Sequence, residues 1–239
     1  MIRPALITAG LALVGGVLRH VLQRRQLPEM TEAGGFAVRE GAGNAKDPLV
    51  IFLHGPGGYP GQLERWVAPP VGPFVSFRGV HEYKGGYQWL TSRLQQTPAP
   101  AFLAEAEGVA QQLAAAIEDK RTHFGVTRSV VIGHSQGGHL AWLLAAKGVV
   151  DGAVIAGGAL PESFTPPKPA RPIEIAALAG TEDRTVPWPL VDSTRARFAA
   201  AGYAATATQV KGGHALQAIG PHLGPALVDV LARMAVHEP

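Results

Sequence analysis

Residues 133–137 read Gly-His-Ser-Gln-Gly, directly after the apolar run Val130-Val131-Ile132 and just ahead of an apolar segment over 140–146. A buried strand that turns abruptly into a helix can hold a serine hydroxyl in the open at the turn. Such a tight turn strains the backbone and presses its flanks against the neighbouring chain. Glycine at 133 and 137 has no Cβ to collide there. The feature asks for a strand–turn–helix unit, and the chain must supply partners before the serine means more than a chance match.

At 239 residues the chain is long enough for one large α/β domain with a sizeable core. Hydrophobic residues make up 46% and charged residues only 16%, which excludes a disordered or highly solvated protein. No repeat at solenoid or propeller spacing is present. The absence of cysteine excludes a disulfide framework, thiolate catalysis and a zinc–thiolate site.

The net charge of +3 is concentrated at one end. Residues 1–27 hold Arg3, Arg19, Arg24 and Arg25 and no acid, which leaves the remainder at −1. The body is nearly neutral and carries no nucleic-acid footprint. Residues 4–18 are uncharged, shorter than the roughly 20 apolar residues of a spanning helix. The segment 1–27 reads as a signal or membrane anchor, as a helix on the domain or on a membrane surface, or as the product of a misplaced start codon. No clean cleavage site follows it, which favours a cytoplasmic or membrane-associated body over a secreted one. Residues 28–239 are then a single catalytic domain.

Within that domain, strands are predicted over 35–39, 49–53, 74–77, 129–132, 152–156, 173–178 and 204–210. The run 49–53 is continuously apolar and so central. Helices are predicted over 101–124 with Gly125 as its stop, behind the serine turn, over 190–201 closed by Gly202, and over 217–236. Residues 160–172 hold five prolines and form an irregular loop too short for a substantial cap. The alternation predicts an α/β fold, a mostly parallel doubly wound sheet with helices on both faces.

A serine hydroxyl needs a base within hydrogen-bond reach, usually a histidine whose second nitrogen is held by a carboxylate. In doubly wound sheets such groups gather at the carboxyl ends of strands. Asp183 lies just past the strand ending near Leu178, with Glu182 as its rival; Asp47, Asp119, Asp151, Asp192 and Asp229 fall where solvated roles are expected. His214 follows the strand ending at Val210, in a Gly212-Gly213 turn that can carry an imidazole back over the sheet. The order Ser135, Asp183, His214 is the one expected of this architecture. Of the other histidines, His134 is read as packing and His139 as structural, while His20, His81, His123, His222 and His237 are read as exposed. No spaced His–carboxylate cluster suggests a metal.

The oxyanion of an acyl-transfer intermediate is usually held by two backbone N–H groups. Gln136, at the positive end of the following helix, supplies one. The loop Leu53-His54-Gly55-Pro56-Gly57-Gly58 should supply the other.

With these pieces in place the chain resembles the α/β-hydrolases, and among them the small phospholipase/carboxylesterase branch that includes acyl-protein thioesterases and is related to the dienelactone hydrolases. The residues that carry the likeness are Leu53-His54-Gly55, Gly85-Gly86-Tyr87-Gln88-Trp89, Gly133-His134-Ser135-Gln136-Gly137-Gly138, Gly157-Gly158-Ala159-Leu160-Pro161, Asp183 with Val186-Pro187, and Gly213-His214. The resemblance implies a compact serine hydrolase of small-molecule or acyl esters or thioesters that works without a cofactor. In many relatives the residue after His-Gly donates the second oxyanion N–H, but here it is Pro56, which has none. Either Gly57 takes over through a shifted loop or the hole is weaker. Dienelactone hydrolases typically use cysteine, so Ser135 points away from that activity. A serine carboxylesterase is the expected function. A thioesterase, lipase-like or polyester-cleaving enzyme shares the chemistry, with Tyr87, Trp89 and Trp188 either lining an apolar groove or merely packing. A catalytically silent binding protein keeps only the fold.

Overall fold

The computed structural model describes residues 30–67 and 72–237; the segment 1–27 lies outside the described residues. From Thr31 onward the described residues form one compact unit. The described residues form ten strands: β1 (Thr31–Ala33), β2 (Phe36–Gly41), β3 (Leu49–Leu53), β4 (Phe74–Phe77), β5 (His81–Tyr83), β6 (Gly86–Gln88), β7 (Ser129–His134), β8 (Gly152–Ala156), β9 (Glu174–Gly180) and β10 (Ala204–Val210). The helices are α1 (Ala99–Phe124), α2 (Gln136–Ala146), α3 (Trp188–Ala201), α4 (Leu216–Ile219) and α5 (Leu223–Ala235).

Eight strands form one sheet in the order β1-β2-β4-β3-β7-β8-β9-β10, parallel from β4 to β10 and antiparallel where β1 and β2 join. β3, β7, β8 and β9 are buried along their whole length, which is why they read as unbroken apolar runs. Their side chains alternate between two cores. Ile51, Val131, Ile155 and Ile175 pack with Leu113, Leu140 and Phe198 of α1, α2 and α3 on one face. Val50, Val130, Ile132 and Val154 pack with Ile219, Leu227 and Val230 of α4 and α5 on the other. β10, at the edge, alternates exposed and half-buried positions instead.

Three local differences from the sequence-based elements have physical reasons. Gly35 belongs to a Gly34-Gly35 turn with both φ positive, so β2 begins one residue later and pairs back onto β1. Lys84-Gly85 makes the same kind of turn between β5 and β6, a hairpin whose three-residue strands are too short for periodicity to reveal. The single helix expected over 217–236 is divided by a 3₁₀ turn, Gly220–His222. Pro221 has no N–H to continue the ladder, and a Cβ on Gly220 would sit 2.5 Å from the Trp66 ring that packs there. Among the described residues no helix is long and apolar enough to cross a membrane.

Candidate active site

β7 ends at His134, and α2 starts at Gln136, leaving Ser135 as the whole of the turn. Its φ of 55° and ψ of −115° are strained for a residue with a side chain. The strain is held in place from both sides: the Ser135 N–H donates to the Ala156 carbonyl at 2.9 Å, and the His139 N–H donates to the Ser135 carbonyl at 3.0 Å. A Cβ on Gly133 would lie 2.2 Å from the Gly137 carbonyl oxygen, and one on Gly137 2.0 Å from that of Leu53. Real Cβ atoms do not approach so closely, so both glycines are obligatory for the turn.

The three residues separated in sequence meet at the carboxyl edge of the sheet. The Ser135 hydroxyl lies 2.8 Å from His214 Nε2, and His214 Nδ1 lies 2.7 Å from Asp183 Oδ2. The carboxylate beside Nδ1 fixes the proton there, so Nε2 is the acceptor for the hydroxyl. The other oxygen, Asp183 Oδ1, accepts from the backbone N–H groups of Thr185 at 2.9 Å and Val186 at 2.8 Å. Burial works to raise the Asp183 pKa, but the bond to His214 and those two N–H groups outweigh it and hold the carboxyl below its usual value. Glu182, the rival, is exposed, and its backbone N–H ties the aspartate loop to the histidine loop through the Gly212 carbonyl at 2.8 Å. Gly157 lets the imidazole in: a Cβ there would be 3.0 Å from His214 Cε1.

Three further imidazoles, His54, His134 and His139, are buried around the serine, and burial pushes each down to about 4. All are neutral near pH 7 and each has a bonded role. His54 Nε2 accepts from the Gly79 N–H at 3.0 Å, while its carbonyl accepts from Trp89 Nε1–H at 2.8 Å. His139 Nδ1 accepts from the Ala159 N–H at 3.1 Å. His134 Nε2 donates to the His214 carbonyl at 3.1 Å.

Gln136 opens α2, and the N–H groups of a first helical turn have no acceptor within the helix. Its side chain does something the sequence did not suggest. Oε1 accepts from the Trp89 and Leu90 N–H groups at 3.0 and 3.2 Å, and Nε2 donates to the Leu90 carbonyl at 2.8 Å. The amide thereby locks the elbow to the segment after β6.

Gly57 is placed differently from the expectation. Its N–H donates to the Tyr87 carbonyl at 2.8 Å, and the Tyr87 N–H returns a bond to the Gly58 carbonyl at 2.8 Å. The loop after β3 is stitched to the β5–β6 hairpin, and the donor assigned to an oxyanion is already in use. Nor do Tyr87, Trp89 and Trp188 make an apolar groove. Trp89 is wholly buried, and none of the three lines the cleft above Ser135. That cleft, about 560 Å³, is walled by Pro56, Tyr83, Lys84, Arg93, Phe102 and Arg184 among others, with no acidic side chain in its lining.

Solved structures of like architecture include a carboxylesterase from Mesorhizobium loti, 21% identical, with 87% of this chain and 98% of that one covered at a TM-score of 0.67. A carboxylesterase from Bacillus cereus, 18% identical, covers 84% of this chain and 92% of its own at 0.64. YahD in complex with malic acid, 18% identical, covers 82% and 99% at 0.69. At such identities the likeness is one of fold, that of the α/β-hydrolases. No curated protein sequence matches the chain. A family model described as Dienelactone hydrolase family matches residues 85–218, more than half the chain and the stretch that contains Ser135, Asp183 and His214. The motifs had pointed to a neighbouring branch of the same superfamily; with serine rather than cysteine at its elbow, the chain belongs to the dienelactone hydrolase family, hydrolases of the α/β-hydrolase fold.

Proposed function

We propose that the chain is a serine carboxylesterase working through an acyl-enzyme. The observation that carries this reading is the unbroken relay Ser135 Oγ–His214 Nε2, His214 Nδ1–Asp183 Oδ2, at 2.8 and 2.7 Å. As the hydroxyl oxygen attacks the ester carbonyl, its proton passes to Nε2, and Asp183 stabilises the imidazolium that forms. The Gln136 N–H, at the helix N-terminus, faces the developing oxyanion. His214 then protonates the departing alkoxide, leaving an acyl group on Ser135. A water molecule gives a proton to the same nitrogen as its oxygen attacks the acyl carbon; the bond to Ser135 Oγ then breaks, Nε2 returns the proton to that oxygen, and the acid leaves. Covalent labelling by a fluorophosphonate, mapped to Ser135, tests the assignment; a label elsewhere or none counts against it.

The second oxyanion donor is the weak point of the site. Pro56 has no N–H and that of Gly57 is bonded to Tyr87. Loss of one such donor costs roughly 10²–10³ in turnover in enzymes that have two. Pro56→Ala restores an N–H while tolerating the same φ, and is expected to raise kcat about 10-fold with little change in KM. A kcat no higher than wild type would remove this account. The same feature is what favours the silent-binder reading, for which the signature is absence of fluorophosphonate labelling at Ser135.

The cleft also bears on substrate class. Lys84, Arg93 and Arg184 line it unopposed by any acid in the lining, and Arg93 Nη1 is buried without a partner. Such a wall suits an ester that carries a carboxylate on its acyl or alcohol part. The malic acid held by YahD, a dicarboxylate, agrees with this preference. A hydrogen bond to a charged group contributes about 1.5–3 kcal/mol. Mono-4-nitrophenyl succinate is therefore expected to exceed 4-nitrophenyl butyrate in kcat/KM by roughly 10-fold or more. Arg93→Gln should erase most of that difference, and equal rates for the two esters in the wild type would exclude it.

A further inference from the structure

The base sits on a glycine-rich loop whose backbone ties to the aspartate loop lie upstream of it, at Gly212. Gly212, at a φ of 116°, and Gly213 precede His214, and two successive glycines leave the peptide wide conformational freedom. Yet a nucleophile–base pair misplaced by about 1 Å can lose on the order of 10²-fold in rate. The Glu182 N–H holds the Gly212 carbonyl and the Asp183 carboxylate holds the imidazole, but neither bonds the His214 peptide itself.

We infer that His134 is the positioning residue for the base, clamping the His214 peptide to the strand end that carries the nucleophile. His134 is the last residue of β7, paired with Ala156 in the sheet and one peptide bond from Ser135. From there its Nε2–H reaches the His214 carbonyl at 3.1 Å across 80 residues of sequence. The two imidazoles lie against each other in a tilted arrangement, ring centroids 5.3 Å apart and planes 33° from parallel. The far edge of the His134 ring is backed by the loop after β3. A Cβ on Gly55 would come within 2.7 Å of His134 Nδ1, so the loop packs closely against the ring on that side. One dipeptide, His134-Ser135, thus sets both ends of the Oγ–Nε2 distance: the second residue supplies the hydroxyl and the first holds the base at its proper reach.

The clamp requires the tautomer with hydrogen on Nε2, and it requires a neutral ring. Burial keeps His134 uncharged near pH 7, with His214 beside it acting in the same direction and Asp183 opposing. A neutral neighbour also leaves the imidazolium that forms on His214 during attack without a like charge against its face.

This inference rests on the esterase reading, and kinetics separate the two. His134→Phe keeps the ring and loses the donor; kcat is expected to fall 10- to 100-fold with KM within about twofold, and the rate of fluorophosphonate labelling to fall in parallel. His134→Gln, whose amide can donate to the same carbonyl, should recover most of the loss even if the phenylalanine variant is unstable. A phenylalanine variant as fast as wild type, or a glutamine variant no faster than the phenylalanine one, overturns the clamp while Ser135→Ala remains inactive. Retained turnover in Ser135→Ala would instead overturn the esterase reading itself.

Discussion

Ser135→Ala is expected to lower ester turnover by about 10⁴-fold or more while leaving the fold and substrate affinity nearly intact. The magnitude follows from what the hydroxyl does here. In the proposed mechanism its oxygen is the atom that bonds to the carbonyl carbon, and the imidazole and carboxylate behind it act through that oxygen. Removing the nucleophile of such a unit costs about as much as removing the unit. The affinity should persist because the cleft wall is made by Tyr83, Lys84, Arg93 and Arg184, none of which leans on the serine oxygen. Steady-state hydrolysis of a 4-nitrophenyl ester, with inhibitor binding as the affinity control, checks both halves. A fall of less than 10-fold would mean that another group attacks.

Acidification is expected to unfold the protein between pH 6.5 and about 4, and the cause lies in the same site. His54, His134 and His139 have pKa values near 4 in the folded chain against 6.5 when unfolded. Below pH 6.5 the unfolded chain takes up three protons that the folded one refuses, so stability falls as pH falls, and flattens once the folded values are passed. At about 1.4 kcal/mol per pKa unit the three together reach several kcal/mol, comparable with the whole stability of a typical domain. Asp183 works at the next step down. Its folded pKa is depressed, so its contribution is present above the unfolded 3.8 and is lost as pH drops through the folded value. Denaturant midpoints measured from pH 7 to 4 should decline steadily; a midpoint independent of pH over that window would contradict the buried neutral imidazoles.

Much of this could be read from the residues because burial on both faces writes itself plainly. β3, β7 and β8 are unbroken apolar runs ending in glycine- or histidine-rich turns, and strand ends are where an α/β sheet gathers its chemistry. The glycine-flanked turn singles out Ser135 and the strand-end rule Asp183 and His214, three residues that the structure brings within hydrogen-bond distance in series. What escaped depends on pairing, which no single stretch encodes. Gly57 looked available until the hairpin carrying Tyr87 was seen to take its N–H. Trp89 could line a groove or pack as far as its sequence goes; it packs, buried against Phe36 and bonded to the His54 carbonyl. His134 was read as packing; it packs, and its polar edge is spent on a loop 80 residues away. A histidine preceding the elbow serine was the one available signal, and it says nothing about where the ring will point.

The interlock at the elbow has a consequence for how the molecule moves. All eleven residues of α2 are buried, and Gly133, Gly137 and the Leu53 carbonyl touch one another across the turn. Ser135 therefore has no soft joint of its own: it sits between a wholly buried strand and a wholly buried helix, and freeing it requires moving one of them. Partial openings of this molecule are expected at its rim, with the Ser135 oxygen held in register until the domain opens as a whole.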